Sequence, residues 1–186
     1  MGGPTGSGGD VSEAAVAFLR GVNLGARNKV PQRPLAERLA AATGGPVRHY
    51  LQSGNLVVGS PTPELAMLVR KLIGDDTGLD IPVIMRTATE LKELLAVCPW
   101  PDEDPRRVHL SMWEDEHDPA KAAAMMAADW SGDEIAFHAR NAWMRYPKGF
   151  HQAKLGNHII ERRLGVVATA RNVDTIRALV DLTADR

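Results

Sequence analysis

Two stretches of this chain gather groups that could hold an anion. From Arg20 to Lys29 the sequence reads RGVNLGARNK, so Arg20, Arg27 and Lys29 are interleaved with Asn23, Asn28 and two glycines just ahead of a helical pattern. A second group, Tyr146, Lys148 and Gly149, precedes a helical pattern whose first turn holds Lys154, and Arg171–Asn172 precede the last one. A helix start already carries about half a positive charge from its aligned peptide dipoles, so cations there are disfavoured. A chain that keeps them points to a phosphate or carboxylate held by side-chain donors and free backbone N–H groups. The charge distribution agrees. The net charge is only −1, yet residues 11–58 hold six Lys/Arg against two Asp/Glu, and residues 136–172 hold seven against one. Residues 59–135 reverse the balance, with seven against sixteen.

Other chemistries fare worse. The Arg20–Lys29 loop lacks the Walker G-x-x-x-x-G-K-[ST] pattern and the dinucleotide G-x-G-x-x-G spacing. Ser53 has no His and acid partners in context that would make it a nucleophile. The six histidines show no metal-ligand spacing, so no metal and no cofactor are expected. The acidic run Glu114–Asp118 is better read as a charged loop before a helix. The single cysteine, Cys98, excludes an internal disulfide and fits a reducing compartment. No run approaches the roughly 18 apolar residues of a membrane span. A cytoplasmic protein with no membrane partner is expected, with a flexible Gly-rich leader over residues 1–12.

The elements that must position these groups alternate clearly. Strands are expected over 13–22, 47–51, 56–58 and 81–86, with helices over 31–43 and from about 60 onward. Gln52, Ser53, Gly54 and Asn55 read as a hairpin turn. This is the β-α-β-β-α-β order of a ferredoxin-like half. A third helix starts at Thr87, where Glu90 completes a capping box. The stretch 99–105, PWPDEDP, reads as a linker. Beyond it the order partly recurs: strand 107–112, helix 118–129, hairpin 134–146, helix 152–164, strand 166–170 and helix 172–183. Two tandem ferredoxin-like halves with antiparallel sheets are therefore expected, 13–98 and 106–186, the second less regular. In such a half the first and second strands run parallel, so the loop after strand one and the hairpin leave the sheet at one edge. Arg20, Asn23, Arg27, Asn28 and Lys29 should then meet Gln52, Ser53 and Asn55. The same logic gathers Tyr146, Lys148, Arg171 and Asn172, beside Lys154, in the second half.

The segments FLRGVNLGARNKVP (18–31), YLQSGNLVV (50–58) and KLGNHIIERRLGVVATARNVDT (154–175) resemble the family grouped as domain of unknown function 1697. The resemblance covers nearly all of the chain after residue 12. It implies two ferredoxin-like halves and no assigned activity. Its polar positions here would be Arg20, Asn23, Asn28, Lys29, Gln52, Ser53, Asn55, Lys154, Thr169, Arg171, Asn172 and Thr175, with Gly21, Gly25 and Gly54. The chain departs from the family at Ala153, where a Ser is usual, and at Val173–Asp174, where Trp-Asn is usual.

The leading functional expectation is a module that binds a small, phosphate-bearing, nucleotide-like anion at these basic edges. Single-stranded nucleic acid is a weaker candidate, because the strands carry few aromatics to stack bases. An enzyme acting on a phosphorylated or carboxylated small molecule would use Tyr146 or Lys154 as acid. A protein–protein adaptor is the third reading. Service of one anion by Arg20, Lys29, Lys154 and Arg171 would require the two edges to converge. Oligomeric state is not readable.

Overall fold

The computed structural model describes residues 13–59 and 61–184; the expected leader lies outside them. Over the described residues the fold is mixed α and β, with two four-stranded antiparallel sheets and six α-helices. The first sheet contains β1 (Ala15–Leu19), β2 (Val47–His49), β3 (Asn55–Val58) and β4 (Val83–Thr87), in the order β2-β3-β1-β4. The second contains β5 (Val108–Trp113), β6 (Glu134–His138), β7 (Asn141–Arg145) and β8 (Ala168–Asn172), in the order β6-β7-β5-β8. Each sheet thus sets its first and second strands parallel, with the third between them.

Alternation along β1 explains the layering. Ala17 and Leu19 face α1 (Gln32–Thr43) and α2 (Leu65–Thr77) in one apolar core. Val16 and Phe18 face the other way. There they join Leu110, Met112 and Trp143 of the second sheet, together with α3 (Ala88–Ala96) and α6 (Val173–Ala184), in a core common to both halves. The outer face of the second sheet packs on α4 (Pro119–Ala127) and α5 (Asn157–Leu164). The segment 99–105 connects α3 to β5 while the two halves share apolar burial.

Local signals act as expected at α3. Thr87 accepts from the Glu90 N–H at 3.2 Å, and Glu90 accepts from the Thr87 N–H at 2.7 Å. The expected helix over 152–164 is a correction. A short 3-10 turn occupies Phe150–Gln152, and α5 begins only at Asn157. The Asp133 carboxylate accepts the N–H groups of Lys154 and Leu155 at 2.6 and 3.0 Å, holding that stretch out of the helix. Lys154 therefore does not sit in a helical first turn.

Two buried arginines fasten the halves together. Arg171, on β8, donates from Nε to Asn55 Oδ1 at 2.6 Å. Its Nη1 reaches Thr169 Oγ1 and the Ala170 carbonyl, both at 2.8 Å. Its Nη2 reaches the carbonyls of Leu19, Ser53 and Gly54 at 2.9, 2.8 and 3.0 Å. The guanidinium also lies 5.6 Å from the Phe18 ring centre. Arg86, on β4, makes the corresponding set in the opposite direction. It reaches Asn141 Oδ1 at 3.2 Å and the carbonyls of Trp113, Arg140 and Met85 at 2.8, 3.4 and 2.6 Å. Each arginine is the fourth residue of its half's last strand, and each asparagine opens the third strand of the other half. One difference separates them: Arg86 also pairs with Glu114 at 3.0 Å, whereas Arg171 is in no ion pair among the described residues.

The turn that feeds Arg171 has no spare room. Gly54 has φ +82°, and a Cβ there would stand 2.6 Å from both Leu19 Cβ and Val22 Cγ2. Gly54→Ala should destabilise the protein by about 2–5 kcal/mol, combining left-handed backbone strain with overpacking. Chemical denaturation checks this, and a loss below about 1 kcal/mol would mean that the turn can relax.

Candidate functional site

The topology brings the first predicted edge together, with the loop after β1 beside the β2–β3 turn. Asn23 and Asn28 both adopt positive φ, 55° and 48°, which asparagine tolerates better than most residues. Asn23 donates to the carbonyls of Val30 and Gln52 at 3.0 and 2.8 Å and accepts from the Val30 N–H at 3.1 Å. Asn28 donates to the Gly21 carbonyl at 3.0 Å. These two side chains shape the loop and tie it to the hairpin.

Three expected ligand donors have other engagements. Arg171 is 8% exposed, and its N–H groups all face protein oxygens. Burial pushes its pKa down to about 10, which leaves it charged at neutral pH. Asn55 is fully buried, accepting from Arg171 and donating to the Tyr50 carbonyl at 2.7 Å. Neither presents a donor to an outside anion. Arg20 is half-exposed but forms a two-bond pair with Glu161 of α5, at 2.6 and 2.8 Å. Burial works to raise the Glu161 carboxyl, yet Arg20 and the Ala168 N–H outweigh it and hold it below the usual range.

What remains open at this edge is Arg27, Lys29, Gln52 and Ser53, all exposed. Asn23, Lys29, Val30, Pro31 and Gln52 line a shallow hollow of about 390 Å³ at the start of α1. No side chain caps that helix, its first turn holds no acidic residue, and Lys29 and Arg27 are in no ion pair among the described residues. The hollow offers Lys29 and a helix start to one small anion, with Arg27 two residues earlier on the same loop.

The second edge differs from expectation. Tyr146 is fully buried, its hydroxyl directed at Met144 Sδ at 3.1 Å, and burial pushes its phenol well up. It can neither contact a ligand nor act as an acid toward one. Asn172 accepts from the Thr175 N–H at 2.9 Å at the start of α6. Lys148 donates to the Ser131 carbonyl at 3.2 Å, and the Lys154 backbone is held by Asp133. Ser131 and Asp133 lead into β6, whereas Arg171 lies on β8, the opposite edge strand of that sheet. Three strand spacings, roughly 14 Å, separate those edges. Lys154 and Arg171 therefore do not converge through this sheet.

Sequence reading missed Arg86 and Asn141, and it took Glu114 for part of a charged loop rather than the partner of Arg86. The available signal was positional: MRT (85–87) and ARN (170–172) both place Arg before the last strand residue, directly ahead of a helix. Among the described residues no cluster could hold a metal ion, and no helix is long and apolar enough to cross a membrane.

His109 on β5 also escaped notice. Its ring stacks on Phe150 at 4.9 Å and meets the Tyr146 edge at 5.1 Å, while its Nδ1 finds no partner. Burial pushes its pKa down to about 4 from 6.5. Between these values the unfolded chain binds a proton that the fold refuses. Stability should therefore fall as pH drops from about 6.5 to 4, by up to about 3 kcal/mol. Unfolding curves across that window check this: His109→Phe should flatten the slope, and an unchanged slope would assign it to other groups.

The model for the family described as "Protein of unknown function (DUF1697)" matches residues 13–143. No curated protein matches the chain. The solved structure of a conserved bacterial protein from Streptococcus pneumoniae superposes with a TM-score of 0.69 at 16% identity, covering 92% of this chain and 98% of that one. At that identity the likeness concerns the fold. The matched family model spans most of the chain, from β1 into β7, and the protein belongs to the DUF1697 family of proteins of unknown function.

Proposed function

We propose that the protein binds a small phosphate-bearing anion, nucleotide-like in size, in the hollow between the β1–α1 loop and the β2–β3 turn. The observation that carries this is the pairing of an uncapped α1 start with Lys29 and nearby Arg27, neither neutralised by an acid among the described residues. Positive charge at that position works against the helix dipole, and an anion relieves both. We further read each half as a ferredoxin-like unit and the pair as a tandem duplication. The two strand orders and the reciprocal Arg–Asn fastenings support that reading.

A polymer of bases has less to recommend it. Trp143 and Tyr146 are buried, and both faces of both sheets contribute to apolar cores. Among the described residues no sheet face offers the aromatic platform that single-stranded nucleic acid uses.

The test is a titration of pyrophosphate and ADP into the protein and an Arg27→Gln/Lys29→Gln variant, read by thermal shift. Binding should weaken by roughly tenfold or more in the variant, the scale of losing a hydrogen bond to a charged group. Stability without ligand should stay within about 0.5 kcal/mol or rise slightly, since both side chains are exposed. Equal affinity in the variant, or no saturable shift with either anion, would overturn the proposal.

A further inference from the structure

A second hollow lies between α4 and α5. Lys121, Ala124, Met125, Ala128, Trp130 and Arg163 enclose about 260 Å³. Trp130 is half-buried, and its indole N–H donates to the Met125 carbonyl at 2.8 Å. The indole's one donor is therefore engaged, and the ring offers the hollow only its apolar surface. Met125 and two alanines complete an apolar wall. The charged groups of the lining are Lys121 and Arg163, both exposed and in no ion pair among the described residues. Among the described residues no carboxylate lines the site.

This combination is selective by chemistry. A neutral apolar molecule would leave two cations without a partner, and inorganic phosphate would leave the half-buried indole surface in water. A flat apolar body carrying one negative group satisfies both. The volume is below the roughly 300–1,000 Å³ of drug-sized ligand sites, so it suits a molecule of one or two rings. Lys121 is also the third residue of α4, where a cation opposes the helix dipole and gains from a nearby anion. We infer that the α4–α5 hollow is a binding site for a small aromatic carboxylate, its ring against Trp130 and its carboxylate between Lys121 and Arg163.

The experiment is an NMR titration of the full chain with 2-naphthoate, following the indole N–H signals of the four tryptophans. The Trp130 signal is assigned by its loss in Trp130→Phe. The expected result is a saturable shift concentrated on Trp130. Affinity should fall by roughly tenfold or more in Lys121→Gln/Arg163→Gln, the effect of removing charge-assisted bonds to the carboxylate. The neutral 2-naphthamide should bind the protein and the double variant alike. Both substituted side chains are exposed, and the single variants should each show part of the loss. No saturable shift, equal naphthoate affinity in the double variant, or shifts spread equally over all four indoles would overturn the inference.

Discussion

A guanidinium without an acidic partner, buried among protein oxygens, governs how the halves of this molecule meet. Arg171 draws together Leu19 at the end of β1, Ser53 and Gly54 in the turn, and Asn55 at the start of β3. An isolated buried charge would be very costly, and it is tolerated here because several dipoles replace its hydration. Those oxygens belong to two separated segments of the other half, so the site forms only when both halves are folded and docked. Arg86 imposes the same condition from the other side, with Glu114 adding a carboxylate.

This constraint divides the basic residues of the chain into two populations. Arg20, Arg86 and Arg171 are construction: each is engaged by groups from the other half. Arg27 and Lys29 are exposed at a loop whose shape Asn23 and Asn28 hold through backbone bonds. The rigid part of the edge thus positions the free part. Gly54 belongs to the rigid part as well, because Leu19 and Val22 fill the space that a side chain would need.

Features set by near neighbours were legible in the sequence. The capping box at Thr87 and Glu90 spans three residues, and the hairpin around Gly54 is announced by its own turn residues. The element order followed from apolar periodicity for the same reason. Features set across the chain were not legible. Gln152 to Gly156 has a helical look, but the Asp133 carboxylate, some twenty residues away, captures two of its N–H groups. Arg171 looked like a ligand donor because its partners, Asn55 and the Leu19 carbonyl, lie more than 100 residues earlier. Tyr146 follows the same logic, since its burial depends on how the 3-10 turn and α5 close over β7.

The claim at the centre of this account is that the buried arginines make one cooperative unit of two halves. Native-state hydrogen exchange tests it most directly, comparing amides of β1 with amides of β5 in the protein and in Arg171→Lys. If the account holds, both strands exchange only through global opening, at matching free energies. The lysine variant, with fewer donors and no planar fork, should then lower both together by roughly 1–3 kcal/mol, the scale of leaving buried acceptors unpaired. Unequal protection of β1 and β5 in the unaltered protein, or a loss confined to β8 in the variant, would contradict it.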